Sequence, residues 1–332
     1  TGARVPEGAD AVQKVELTET EAAARDDFVI ILEPAEANQN IVRRGREIEK
    51  GAPIFTAGEI ITDKMIAALA SFGYARANVF QKPRVSILAT GSEIVDISEN
   101  PQKDQIRNSN SVMLKVFAEK LGPEAEILPL VRDDLETLKK TIAEAVGLKT
   151  QVQSSEFQVK AKSQIPNPKS QILIITGGVS VGDYDFTKPA LRALGAEIFF
   201  EKVSLKPGKP TVFARLNDAL VFGLPGNPVS VAVTFYLFAR AAILRMQSAR
   251  DCDLKKGFAV VGGAEKIKAA QERDSYLPVS LSTDERGQLI IESLRFSGSS
   301  NFIAFARAEA LVFVPQGKNL EKGDVAEIVY LD

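Results

Sequence analysis

The sequence predicts a central three-layer α/β domain with a mostly parallel sheet, flanked by a small N-terminal β-rich region and a C-terminal all-β domain. Three observations carry this reading. From Pro83 onward, strand-like apolar runs alternate with helix-period segments, which is how a parallel α/β sheet reads. Residues 1 to about 36 hold short alternating segments between turn residues instead. After about residue 255 the chain returns to strands and turns. The predicted divisions are a β-rich region at 1–40, a linker and helical part at 41–82, the α/β domain at 83–250 with a polar insertion at 147–170, and the β domain at 255–332.

In order, Ala11-Val12-Gln13-Lys14-Val15 and Phe28-Val29-Ile30-Ile31-Leu32 read as antiparallel strands. Arg43-Arg44-Gly45-Arg46-Glu47 is a basic turn, either a solvated loop or an anion clamp. Thr62 is an N-cap for a helix with Met65, Ile66, Leu69 and Phe72 at helical spacing, ended by Gly73. A strand over 84–90 ends at Gly91-Ser92-Glu93. Asn108-Ser109-Asn110 caps a helix that Gly122 closes. A short peripheral strand over 127–131 ends at Arg132-Asp133-Asp134, and Asp134 caps the next helix. The tract 147–170 is rich in Gln, Ser and Lys and reads as a surface insertion without chemistry.

Ile172-Leu173-Ile174-Ile175-Thr176 is a buried strand that runs into Gly177-Gly178. A strand over 197–203 leads to Lys206-Pro207-Gly208-Lys209-Pro210. Another over 219–224 leads to Pro225-Gly226-Asn227-Pro228, with Asn227 as N-cap and Pro228 as first helical residue. Strands at 258–261, 289–291, 310–314 and 325–330 make the last domain.

Composition excludes several classes. With 41 Lys and Arg against 43 Asp and Glu, no dominant nucleic-acid role is indicated. The single cysteine excludes a disulfide framework and fits a reducing compartment. With no histidine, a Ser-His-Asp triad, a His-ligated zinc and an imidazole base are all excluded within the sequence, so acid–base work falls to Asp, Glu, Lys, Tyr or water. The longest apolar stretch, 229–244, is broken by Ser230, Thr234 and Arg240, and is expected to be a core helix rather than a membrane span. No signal peptide is evident, and the opening Thr1-Gly2-Ala3 without an initiator methionine raises the expectation of a preceding segment.

The turn after the 172–176 strand resembles two phosphate fingerprints and satisfies neither. Asp183 stands where a P-loop needs lysine, and Val179 where a dinucleotide turn needs its second glycine. A glycine turn followed by carboxylates suits a phosphorylated ligand with a divalent cation; an ordinary strand–turn–helix junction with solvated acids fits the same residues. Parallel strands bring their following loops to one edge. That edge should gather Gly91-Ser92-Glu93, Asp133-Asp134, 177–185 and 225–230, with 206–210 nearby. Glu93, Asp133, Asp183 and Asp185 offer hard oxygens for Mg²⁺, or are caps and solvated acids. Lys206 and Lys209, spaced by a Pro-Gly turn, hold two ammonium groups at one anion, or form a basic hairpin. The stiff loop from Pro225 to Pro228 with Ser230 suits an oxyanion at a helix N-terminus, or is a structural turn.

The run from Thr176 to Asp185, together with Lys206-Pro207-Gly208-Lys209-Pro210 and Leu224-Pro225-Gly226-Asn227-Pro228-Val229-Ser230, resembles the MoeA family. These are molybdopterin molybdenumtransferases, related to the E domains of gephyrin and its plant counterpart. Segments 1–12 and 40–45 resemble the family's earlier parts, and only 147–170 departs from it throughout. The resemblance implies a MogA-like molybdopterin-binding fold for the central domain. It implies a Mg²⁺-dependent transferase that inserts molybdate into adenylylated molybdopterin with release of AMP. It also implies a cytoplasmic homodimer, a MogA-type adenylyltransferase as partner, no nucleic acid, no membrane, and a segment before Thr1. Carried over, Asp185, Asp133, Glu93, Lys206, Lys209 and Thr1 are catalytic positions. Gly177, Gly178, Ser180, Pro225, Gly226, Asn227, Pro228 and Ser230 hold the pterin nucleotide and molybdate, and Asp185, Glu93 and Asp183 hold Mg²⁺. The first motif is shared with MogA-type proteins, so the rival activities are molybdopterin adenylyltransferase and a gephyrin-like scaffold or pterin carrier.

Overall fold

The computed structural model describes residues 2–19, 28–148, 171–180, 182, 185–263, 266–294 and 298–331. Thr1, Asp183 and the insertion from 149 to 170 lie outside them. The chain divides into two units, Thr1–Ala57 and Gly58–Asp332. In the first, β1 (Thr18–Glu19) and β2 (Ile30–Ile31) pair antiparallel, Thr18 against Ile31. The strand expected over 11–15 does not form; Val15–Leu17 is a 3₁₀ turn. None of the described residues of this unit is buried, so its apolar alternation has no covered face to select a strand.

The second unit begins with α1 (Asp63–Ser71). Thr62 Oγ1 accepts the Met65 N–H at 3.4 Å, and Gly73 follows its end at φ +80°. Next come β3 (Val85–Ala89), a parallel side pair β4 (Ile94–Val95) and β5 (Ile106–Arg107), α2 (Ser109–Lys120), β6 (Ala125–Ile127), α3 (Leu135–Ala145) and β7 (Ile172–Thr176). They are followed by α4 (Thr187–Ala193), β8 (Glu197–Phe200), β9 (Leu205–Lys206), β10 (Val212–Leu216) and β11 (Ala219–Leu224). The central sheet has the order β6-β3-β7-β11-β10-β8. Its first four strands are parallel, β10 runs against them, and β8 pairs antiparallel with β10, so the sheet is mixed. The expected 127–131 strand forms upstream, at 125–127, because Pro129 lacks the N–H that a ladder would use.

Every residue of β3 and β7 is buried, because helices cover both faces. Leu88, Leu173 and Ile175 pack with Leu138 and Ile142 of α3 and Leu191 of α4. Ile87, Ile172 and Ile174 pack on the other face with Leu114 of α2, Val231 and Phe235. Full burial of each such Ile or Leu contributes about 1.5–3 kcal/mol. The helix Pro228–Met246 comprises α5 (Pro228–Thr234), a π turn over Phe235–Ala239 and α6 (Arg240–Met246). It is long and apolar enough to cross a bilayer by length and composition, but its apolar window is 61% buried, as in a core helix.

The last sheet is built from β12 (Lys256–Val261), β13 (Asp274–Thr283), β14 (Leu289–Ser293), β15 (Ala310–Val314) and β16 (Val325–Tyr330), with α7 (Phe302–Phe305) before β15. The order β14-β12-β16-β15-β13 closes on itself through a β13–β14 pairing, giving a barrel around Val279, Ile291, Val312 and Ile328. Strand β9 leaves the central domain to pair with β13, Lys206 opposite Ser275. Leu205, Val229, Val233, Leu311 and Val329 then bury the seam between helix and barrel.

Candidate active site

The C-terminal ends of β3, β7 and β11 are bound to one another by main-chain and buried side-chain contacts. The Gly177 N–H donates to Leu224 O at 3.2 Å, and the Thr90 N–H to Thr176 O at 3.0 Å. Gly177 has φ +96°, and a Cβ there would lie 2.2 Å from Thr90 O, so no other residue fits without displacing β3. The loop after β3 is laced to the loop after β6. The Ser92 N–H donates to Asp133 Oδ2 at 2.9 Å, and the Asp133 N–H to Ser92 Oγ at 3.2 Å. Glu93 folds its carboxylate back over Gly91, whose Cβ would meet Glu93 Oε2 at 2.7 Å.

The glycine turn is fastened at its far side as well. Thr187 Oγ1 donates to Gly177 O at 3.1 Å and the Thr187 N–H to Gly178 O at 3.0 Å. Lys188 Nζ donates to Ser180 O at 2.6 Å. Asp185 Oδ2 accepts the Gly182 N–H. Asp134 is a helix cap, accepting the Thr137 N–H at 2.7 Å, and the bonds from Thr137 hold its carboxyl below the ordinary value.

At the head of α5, Asn227 occupies the N-cap position but makes no cap bond with its side chain; Nδ2 instead donates to Ser299 Oγ at 2.8 Å. The Val229 N–H donates to Ser299 O at 3.1 Å, so a barrel loop is fixed on the proline loop. Pro225 is buried, Gly226 and Asn227 are exposed, and Ser230 is 4% exposed. Beneath lies a buried polar network: Asn110 Nδ2 donates to Thr176 Oγ1 at 3.1 Å and to Gly226 O at 2.7 Å, and Thr176 Oγ1 donates to Pro225 O at 3.1 Å. Among the described residues, Asn110 Oδ1 and the neighbouring Ser111 Oγ have no partner, and such an unpaired buried atom costs about 1–3 kcal/mol.

The rim thus brings together Glu93, Asp133, Gly177, Gly178, Ser180, Asp185 and the loop from Pro225 to Pro228. Lys209 precedes β10 by three residues, and Val212 of β10 pairs with Gly223 near the end of β11. Lys206 stands at the barrel edge, and among the described residues no contact ties it to the carboxylates. The Pro207-Gly208 pair between the lysines limits their backbone separation to about 10 Å. Both side chains are exposed. Thr1 and Asp183 lie outside the described residues, and among those described no group of three or more Asp, Glu, Cys or His forms a metal cluster.

Three family profiles match the chain: the MoeA N-terminal region (domain I and II) over 1–73, the "Probable molybdopterin binding domain" over 157–245, and the MoeA C-terminal region (domain IV) over 261–331. The molybdopterin molybdenumtransferases of Staphylococcus aureus (strain COL) and Bacillus subtilis (strain 168) are 32% and 31% identical to it, over 99% and 100% of this chain and 72% of each relative. The chain belongs to the molybdopterin molybdenumtransferase family. Two crystal structures of the molybdopterin biosynthesis MoeA protein from Pyrococcus horikoshii overlay on it with TM-score 0.73, at 28% and 25% identity, covering 99% and 100% of this chain and 74% of theirs.

In this family member, the residues that sequence reasoning missed are those that act at long range. In the sequence Asn110 reads only as part of a cap, a task that Asn108 performs by accepting the Ser111 N–H at 3.1 Å. The available signal was its register: Asn110, Leu114 and Ala118 share one helix face, and the latter two are fully buried. Thr176, Lys188 and Ser299 join the same constellation. Thr176 opens the motif run that ends at Asp185, and Ser299 sits in the small polar loop Gly298-Ser299-Ser300; Lys188 had no local cue.

Proposed function

We propose that this protein inserts molybdate into adenylylated molybdopterin and releases AMP. The observation that supports this most is the meeting of the glycine turn, the proline loop and the Ser92–Asp133 pair at one sheet edge, in a chain of this family. The reaction joins molybdenum to the dithiolene sulfurs of the pterin, a molybdate oxygen leaving as water with the two thiol protons, and breaks the phosphoanhydride by attack of a water oxygen on phosphorus as AMP departs. Neither event needs histidine. Lys206 and Lys209 are assigned to the molybdate dianion, with the hydroxyls of Ser180 and Ser230. Gly177, Gly178 and the loop from Pro225 to Pro228 take the phosphate-bearing part of the pterin nucleotide. Asp133 orients the loop carrying Glu93 through its bond to Ser92. Thr1 is assigned a catalytic role from the resemblance alone.

Isolated carboxylates on a phosphate-binding rim suit Mg²⁺, which leans on one or two carboxylates plus substrate phosphates rather than a protein cage. Asp185, Glu93 and Asp183 would hold it, and when bound it would neutralise charge on the phosphoanhydride. A cytoplasmic homodimer that receives its substrate from a MogA-type adenylyltransferase completes the reading. The test supplies adenylylated molybdopterin, Mg²⁺ and molybdate to the full-length protein and follows AMP. Lys206→Ala and Asp185→Ala should each slow its release; unchanged rates in both reject the assignment.

A further inference from the structure

The peptides of the proline loop are held from behind. Asn110 spends both amide hydrogens on Gly226 O and Thr176 Oγ1, and the Thr176 hydroxyl holds Pro225 O. The peptide units from Pro225 to Asn227 are trans, so each N–H points away from its own carbonyl. Drawing the carbonyls of Pro225 and Gly226 inward therefore turns the N–H groups of Gly226 and Asn227 outward. Both residues are exposed, and among the described residues neither N–H has an acceptor. Two successive outward N–H groups at the head of the helix Pro228–Met246 are placed to meet an anionic oxygen.

A primary amide is what position 110 requires. A hydroxyl would donate once and a carboxylate not at all. An ammonium or guanidinium would place a charge where only 8% of the residue is exposed. The amide also leaves Oδ1 buried and, among the described residues, without a partner, a penalty that an apolar side chain at the same register would not carry. The feature that offsets the penalty is the grip on the two loops, not packing.

We propose that Asn110 and Thr176 are positioning residues of the transfer reaction, aiming the Gly226 and Asn227 N–H groups at a phosphate oxygen of the adenylylated substrate. This rests on the function proposed above. The test compares Thr176→Val, which keeps the shape and loses the hydroxyl, with Thr176→Ser, which keeps the hydroxyl, and adds Asn110→Asp, which keeps the shape and loses both donors. In the full-length protein, Thr176→Val and Asn110→Asp should raise KM for adenylylated molybdopterin about tenfold or more with kcat changed far less, the scale of one hydrogen bond to a charged group. Thr176→Ser should return KM to within about threefold of wild type, and the Asn110→Asp/Thr176→Val pair should be less than additive because the two residues share one network. A wild-type KM in Thr176→Val, or equal losses in the Ser and Val variants, overturns the proposal, and this pair decides the matter if Asn110→Asp does not fold. Titration of the same variants with AMP by calorimetry separates the two ideas. Wild-type protein that binds AMP but releases none from the substrate refutes the assigned reaction, while AMP affinity unchanged by Thr176→Val refutes the positioning role.

Discussion

Replacing Gly177 with alanine tests how tightly the rim loops interlock. The glycine sits at φ +96°, and the added Cβ would stand 2.2 Å from Thr90 O and 3.5 Å from Thr90 Cγ2. Thr90 cannot step aside cheaply, since its N–H donates to Thr176 O at 3.0 Å and it bridges to Val131 on the other side. The left-handed backbone costs an alanine about 1–2 kcal/mol. Forcing atoms into a packed site adds about 1–3 kcal/mol. The expected loss is therefore about 2–5 kcal/mol. Gly195→Ala supplies the control, because Gly195 has φ +76° and nothing within 4 Å of the new Cβ. It should lose only the backbone part, about 1–2 kcal/mol. Urea unfolding followed by far-ultraviolet circular dichroism gives both losses from the shift in midpoint at constant slope. Equal losses in the two variants would refute the claim that Gly177 is required by the approach of β3.

Other outcomes follow from the same geometry. Lys209→Ala should raise the KM for molybdate about tenfold in the AMP-release assay, whereas Lys202→Ala, on the preceding turn, should leave it within about twofold. Asn227→Ala and Ser299→Ala should each destabilise by about 0.5–1.5 kcal/mol in urea, and the double variant by less than their sum, because they share the 2.8 Å bond between barrel and rim. Asp134→Ala should lower the urea midpoint of the wild type in a pH-dependent way. The bonds from Thr137 depress the folded-state carboxyl below its ordinary 3.8, so the cap's contribution is present above that value and is lost as pH falls through the lowered one. The two proteins should differ at neutral pH and converge in acid.

Most of the central domain was legible because its signals are local. The Ile172–Thr176 strand reads as buried from its own residues, and its parallel neighbour Val85–Ala89 is buried throughout in the same way. Asp134 and Thr62 announced their helices by caps that the structure forms. Strand β13 was hidden by its own composition, with Pro278 standing between Ser275 and Ser280. That proline is tolerated because β13 changes partner there, from β9 at Asp274 and Ser275 to β14 from Val279 onward, so that flank asks for no ladder bond at 278. The closure of the barrel through β13 and β14 joins the two ends of the sheet order, which no local pattern encodes.

The rim divides along the same line. Glycines, prolines and carboxylates mark a loop wherever they occur, and a parallel sheet sends such loops to one edge, so Glu93, Asp133, Gly177 and Pro225 could be grouped before any coordinates. What orients them is a side chain whose sequence context is a helix start. Asn110 is 66 residues from Thr176 and 116 from Gly226, and nothing near it in the chain names either partner. Its one cue was a polar residue in line with Leu114 and Ala118 on a buried stripe. A polar group placed where an apolar one would pack more favourably needs an acceptor inside the fold, and here the acceptors are the last side chain of β7 and a carbonyl of the proline loop. The carbonyls of the proline loop are thus held by the Asn110 amide and the Thr176 hydroxyl buried beneath them.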